Sequence, residues 1–250
     1  MKVQRLSHRM RPDCAAARRA SQMLSSRLLL TALIGAWCPA INAVENVTST
    51  RLAVIGEIVP GACSIDLAEG GKANYGVIPL SSVPVDKPMQ LEEKQIPFTI
   101  RCDDPMTIHL SARDMKAQTA VRTLLPGLEL YGFGLGSVGD VNIGVYKLRV
   151  FSDNISAQDA QRKVVPVDLI YKFYNMDTWG KFDAGSFWAD GTSRLSFGTP
   201  GNGNRNKRTP GIYRLISGVF GVKPILAKRG DLPTGRVPLD GLASIDIYYQ

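Results

Sequence analysis

The last ten residues, GLASIDIYYQ at 241–250, alternate between apolar and polar side chains. Ala243, Ile245, Ile247 and Tyr249 fall on one face, while Ser244, Asp246, Tyr248 and Gln250 fall on the other. A period of two marks an extended chain with one face on a core. Upstream of this strand, alternation or a short apolar run recurs at 51–58, 62–67, 95–102, 106–112, 128–133, 141–151, 164–174 and 212–227. Clusters of Gly, Pro, Asn and Asp separate the runs, and no long helical repeat intervenes. Ser156–Arg162 is the one helix-friendly stretch. The expected fold class is therefore all-β, an antiparallel β-sandwich. A final strand this regular is also poised to pair through its backbone.

The chain has 250 residues, with 30 Lys and Arg against 22 Asp and Glu, a net charge of +8. That charge is unevenly placed. Residues 1–43 carry Lys2, Arg5, Arg9, Arg11, Arg18, Arg19 and Arg27 against Asp13 alone, a net of +6. The remaining 207 residues hold 23 basic and 21 acidic side chains, a net of +2 with both signs interspersed. No basic stripe is left for a nucleic acid. The run LLLTALIGAWCPAINA at 28–43 follows the basic flank with an apolar stretch, a Pro and small residues. It predicts a secretory signal peptide over 1–43, cleaved after Ala43. Its apolar part, Leu28 to Trp37, is too short to cross a hydrocarbon layer of roughly 30 Å as a helix. Met23 would begin a leader of ordinary length, which makes the true start a choice between Met1 and Met23.

Cleavage removes Cys14 and Cys38 and leaves Cys63 and Cys102. In an oxidising compartment that pair predicts a single disulfide. A structural zinc site lacks ligands, because His109 is the one histidine of the mature chain. Catalysis also lacks its parts. His109 sits in TIHLSA with Ile108 and Leu110 on the opposite face, and no GxSxG elbow occurs. Glu92-Glu93 and Asp103-Asp104 are adjacent in sequence, so in a strand their side chains diverge. The glycine-rich LYGFGLGSVG at 130–139 lacks the Lys and following helix of a phosphate loop. We expect no enzyme, no cofactor and no metal. The polar run TPGNGNRNKRTP at 199–210 reads as a solvated loop carrying Arg205, Lys207 and Arg208. YKFYNMDTWGKFDAGSFW at 171–188 is rich in aromatics, including Trp179 and Trp188, the tryptophans left after cleavage. Flat rings beside Asp and Asn suit a sugar site, whereas aromatics in strands more often fill a core.

Four stretches together resemble the fimbrial (pilin) subunits of the chaperone–usher pathway of Gram-negative bacteria. They are GEIVPGACSIDL with the first cysteine, ANYGVIPL after it, IPFTIRC with the second cysteine, and the C-terminal alternation with penultimate Tyr249. NIGVYKLRV resembles the central pilin strand. The chain departs from that pattern in its extra length at about 171–220, and in having Val237 where pilins usually carry a Gly. The resemblance implies an immunoglobulin-like sandwich over 56–250, stapled by Cys63–Cys102 and lacking its last strand. It implies that Ala243, Ile245, Ile247 and Tyr249 form the assembly and chaperone-binding strand. Residues 44–55, with Leu52 and Val54, would be the N-terminal extension donated to a neighbour. The implied partners are a periplasmic chaperone, an outer-membrane usher and neighbouring fimbrial subunits. The implied location is the periplasm in transit and then the fimbrium or cell surface. A surface adhesin holding a glycan with Trp179 and Trp188 is the alternative, and a secreted enzyme is the third reading.

Overall fold

Eight principal strands carry the fold: β1 (Cys63–Leu67), β2 (Lys94–Met106), β3 (Ile108–Asp114), β4 (Gly144–Val150), β5 (Asp168–Lys172), β6 (Arg194–Gly198), β7 (Tyr213–Leu226) and β8 (Ala243–Tyr249). They come from a computed structural model that describes residues 61–181, 185–201 and 207–249, with positions 53 and 55. The expected leader and the candidate donor residues Leu52 and Val54 lie outside the described residues. No α-helix occurs among those that are described.

One sheet runs β1-β2-β7-β4 and ends on Phe133–Gly134; the other runs from Gly180–Lys181 through β5, β6 and β3 to β8. Each of these neighbouring pairs is antiparallel. The inward positions of both sheets meet in one core. Ile96, Phe98 and Ile100 of β2, Leu148 and Val150 of β4, and Ile216 and Phe220 of β7 come from the first sheet. Ile108, Leu110 and Ala112 of β3, Leu169 of β5, and Leu195 and Phe197 of β6 come from the second. Alternation in the sequence thus becomes a two-layer sandwich, with Phe98 stacked on Phe220 at 4.4 Å between ring centres.

The disulfide joins Cys63 to Cys102, which stand directly opposite each other in the β1–β2 register. It fastens an edge strand, held otherwise by one ladder, to the centre of its sheet. The extra length at 171–220 supplies β6 and the fully buried Phe187, so part of it builds the sandwich rather than decorating it.

Three expected elements come out differently. Residues 128–133 form a single turn at Glu129–Tyr131, leaving Phe133–Gly134 alone as strand. Pro126-Gly127 sets that turn: Gly127 has φ 75° and donates its N–H to the Glu129 carboxylate at 2.8 Å. The helix-friendly Ser156–Arg162 instead gives a strand, Ser156–Gln158, paired with Leu215–Ser217 of β7. Seven residues are too few to nucleate a helix against such pairing. The Asp159 carboxylate then caps the following turn, accepting from the N–H groups of Gln161 and Lys163. The run 164–174 divides around Pro166: Val164–Val165 joins the first sheet, and β5 joins the second. A residue without an N–H cannot carry one ladder through.

Removing both cysteines frees a 39-residue loop in the unfolded chain. Replacing Cys63 and Cys102 with Ala should lower stability by about 4 kcal/mol. Urea unfolding of the oxidised protein and the double variant, with m-values compared, measures it.

Candidate functional site: a groove between two open sheet edges

β1 pairs with β2 alone, and β8 pairs with β3 alone. Their outer edges therefore have no strand partner among the described residues. A strand edge carries a row of N–H and C=O groups, and leaving such groups unmatched away from water is costly. These two edges flank a groove that reaches the core. After β1 the chain turns through Glu69, Gly70 and Gly71, at φ 53°, 61° and 75°. Gly70 and Gly71 reach this region without the steric cost a Cβ would bring. The chain then runs over residues 72–79 outside any strand.

Two cavities lie along this path. The first, about 450 Å³, has Leu67, Gly71 and Ala73 on one wall and Leu239, Ala243 and Ile245 on the other. Its floor is Ile96, Tyr146, Leu148 and Phe220, all of them core residues. The second, about 500 Å³, lies between Ile78 and Leu80 and the facing Leu232 and Val237. Ala73, Tyr75 and Leu239 line both. The burial pattern agrees with an unfinished cover. Phe220 is 2% exposed and Leu148 5%. The inward residues of the edges, Ile65 and Leu67 on β1 and Ala243, Ile245 and Ile247 on β8, are half-buried against the same core.

Two phenols add polar points to this apolar trough. The Tyr75 hydroxyl donates to the Val222 carbonyl oxygen at 2.7 Å, and burial pushes its pKa up to about 12. Tyr146 is raised further, again mainly by burial, with the Asp114 carboxylate adding to it. Both phenols stay neutral hydrogen-bonding groups at any physiological pH.

The predicted assembly strand is β8, and its residues divide. Ala243 and Ile245 line the first cavity, and Ile247 packs on the core beside them. Tyr249 is 43% exposed at the end of the strand, outside the core. Tyr75, Tyr146 and Leu239 complete the groove lining. Tyr75 sits in the quoted ANYGVIPL, but Gly76 and Pro79 break any alternation there.

The two tryptophans sit in separate ring clusters. Trp179 stacks on His109 at 4.7 Å, whereas Trp188 stacks on Phe173 at 4.0 Å and meets Tyr131 and Tyr174 at 6.5 Å. One face of each indole is therefore covered by another ring. The polar run after Thr199 also differs from a solvated loop at one position. The Arg208 side chain is 10% exposed and lies 3.6 Å from the Asp168 carboxylate. Its guanidinium donates to the Gly201 carbonyl oxygen, and its backbone N–H donates to the Trp179 carbonyl oxygen. Trp179 and Arg208 bridge to each other beside the outer face of the second sheet, where Ile170 and Ser196 are fully buried.

An antiparallel β-sandwich with one cross-strand disulfide and an open groove between its sheets is the class these features define. Residues 52–127, which contain β1, β2 and β3, match a family described as "Protein of unknown function (DUF1120)". The chain is also similar to Protein GltF of Escherichia coli (strain K12), at 30% identity over 146 residues. That match covers 49% of this chain and spans 56% of the relative's length.

The Trp179 cover makes two measurable statements. Trp179→Ala should cost about 2 kcal/mol in denaturant unfolding, less than the 3–5 kcal/mol of a fully buried aromatic. Burial holds the His109 pKa below its ordinary value, with the Arg194 and Lys172 charges adding to the effect. The folded state then binds this proton more weakly than the unfolded state. The stability linked to His109 is present above about pH 6.5 and is lost as pH falls through the folded value. In His109→Asn, stability should fall less steeply than in the parent over that window; equal slopes in both proteins would contradict this linkage.

Proposed function

We propose that this chain is an exported fimbrial-like structural subunit, assembled by strand addition rather than by any chemistry on a substrate. One observation carries the reading: the free edges of β1 and β8 face a groove floored by Ile96, Leu148 and Phe220. An extended strand laid between them would satisfy both backbone edges. It would also drop alternate side chains onto the apolar floor. In transit, a periplasmic chaperone supplies that strand. At an outer-membrane usher, the N-terminal extension of a neighbouring subunit replaces it. Leader, disulfide and groove have consistent roles here: export, oxidation, and a fold completed by a partner. The bacterial relative and the fimbrial resemblance of the four sequence stretches support the same setting.

The test uses the mature chain with a synthetic peptide of alternating apolar residues, and a scrambled peptide of the same composition. The alternating peptide should raise the melting temperature in a saturable way, and the scrambled one should not. Ile245→Asp places a charge on the groove wall and should abolish the gain. Should that variant fail to fold, a peptide with Asp at its central apolar position supplies the same control. A mature chain fully stable alone and indifferent to both peptides would overturn the reading.

A further inference from the structure

β4 and β7 lie side by side, and their register places Lys147 directly opposite Lys223. Tyr146 and Leu148, on either side of Lys147, face the core, so Lys147 projects from the outer surface of the sheet. Arg149 follows two residues on, on the same face. Its guanidinium donates to both oxygens of Glu93, at 2.7 and 2.8 Å, and lies 4.0 Å over the Phe151 ring. Arg149 also bridges to the backbone of Ser186. Glu93, Lys147, Arg149, Ser186 and Lys223 line a cavity of about 290 Å³, whose lining includes none of the groove residues.

The charges here do not balance. Glu93 is engaged by Arg149, which is the main cause of its lowered pKa, with Lys223 and Lys147 adding to the effect. Neither lysine takes part in an ion pair among the described residues. One carboxylate thus answers three cations, and the surplus of two sits on a directly opposed like-charge pair. Such a pair destabilises an antiparallel sheet. A ligand of two negative charges between the lysines would reverse that sign. Each ammonium offers three donors on a flexible stem, which suits an acceptor whose oxygens point in several directions.

We propose that this cavity binds a doubly charged tetrahedral oxyanion, a phosphate group that is free or esterified to a sugar. The volume admits the group and part of an attached ring. Lys147 and Lys223 supply the charge, and the Glu93–Arg149 pair fixes the rim. This site does not depend on the groove or on how the chain assembles.

Calorimetric titration of the mature chain at constant ionic strength tests the proposal, with inorganic phosphate in one arm and a sugar monophosphate in the other. Saturable binding with a Kd of about 1 mM or tighter is expected in at least one arm. Tighter binding in the sugar arm identifies an ester ligand, and equal binding identifies the bare anion. Lys147→Gln and Lys223→Gln should each weaken binding about ten-fold, the loss of one charge-assisted contact. Without anion, neither variant should melt lower than the parent, because each relieves the repulsion. Absence of saturable binding in both arms, or full affinity in both variants, would overturn the proposal. A lower melting point of either variant in anion-free buffer would also count against it, by giving the lysine a structural role.

Discussion

An unmatched backbone edge is the constraint on which this structure turns. In the middle of each sheet, ladders on both sides satisfy the chain, and the side chains beneath are almost wholly buried. Among the described residues β1 and β8 each have one ladder, and their inward residues stay half-exposed. The groove between them is where both deficits meet: polar main chain on the walls and apolar side chains on the floor. Either alone could be tolerated at a surface. Together they describe a sandwich that is complete in its core and incomplete at its rim.

The rest of the molecule treats its exposed surfaces differently. Part of the outer face of the second sheet is covered by its own chain, with Trp179 over His109 and Arg208 held by Asp168. The stretch 171–220 supplies both that cover and β6. It does not close the groove, whose walls come from residues 67–80 and 232–245. The disulfide ties β1 to the centre of its sheet, so one wall is fixed before anything binds.

How much of this was legible in the sequence depends on the physics of each element. β2, β3, β7 and β8 were readable because one-sided burial imposes a period of two, and the cysteine pair because the expected leader takes up the other two cysteines. Pairing partners leave no such trace in a single sequence. Ser156–Gln158 has weak local preference and becomes a strand only because β7 lies beside it. The run 164–174 read as one strand, and nothing local in it shows that Pro166 sends the chain from one sheet to the other. The groove was half legible: Ala243, Ile245 and Ile247 announce an inward face and Tyr146 shares the inward phase of Leu148 and Val150, while Tyr75 belongs to it through tertiary contact alone. Arg208 looked like a loop cation because its acidic partner, Asp168, lies 40 positions earlier.

Hydrogen exchange of individual amides in the chain without its expected leader tests the central claim most directly, since it reports on backbone pairing itself. The amides of β1 and β8 should exchange far faster than those of β2 and β7. They should slow selectively when an alternating apolar peptide occupies the groove. Protection of β1 and β8 equal to that of β2 and β7 in the free protein, with no change on adding the peptide, would contradict the account.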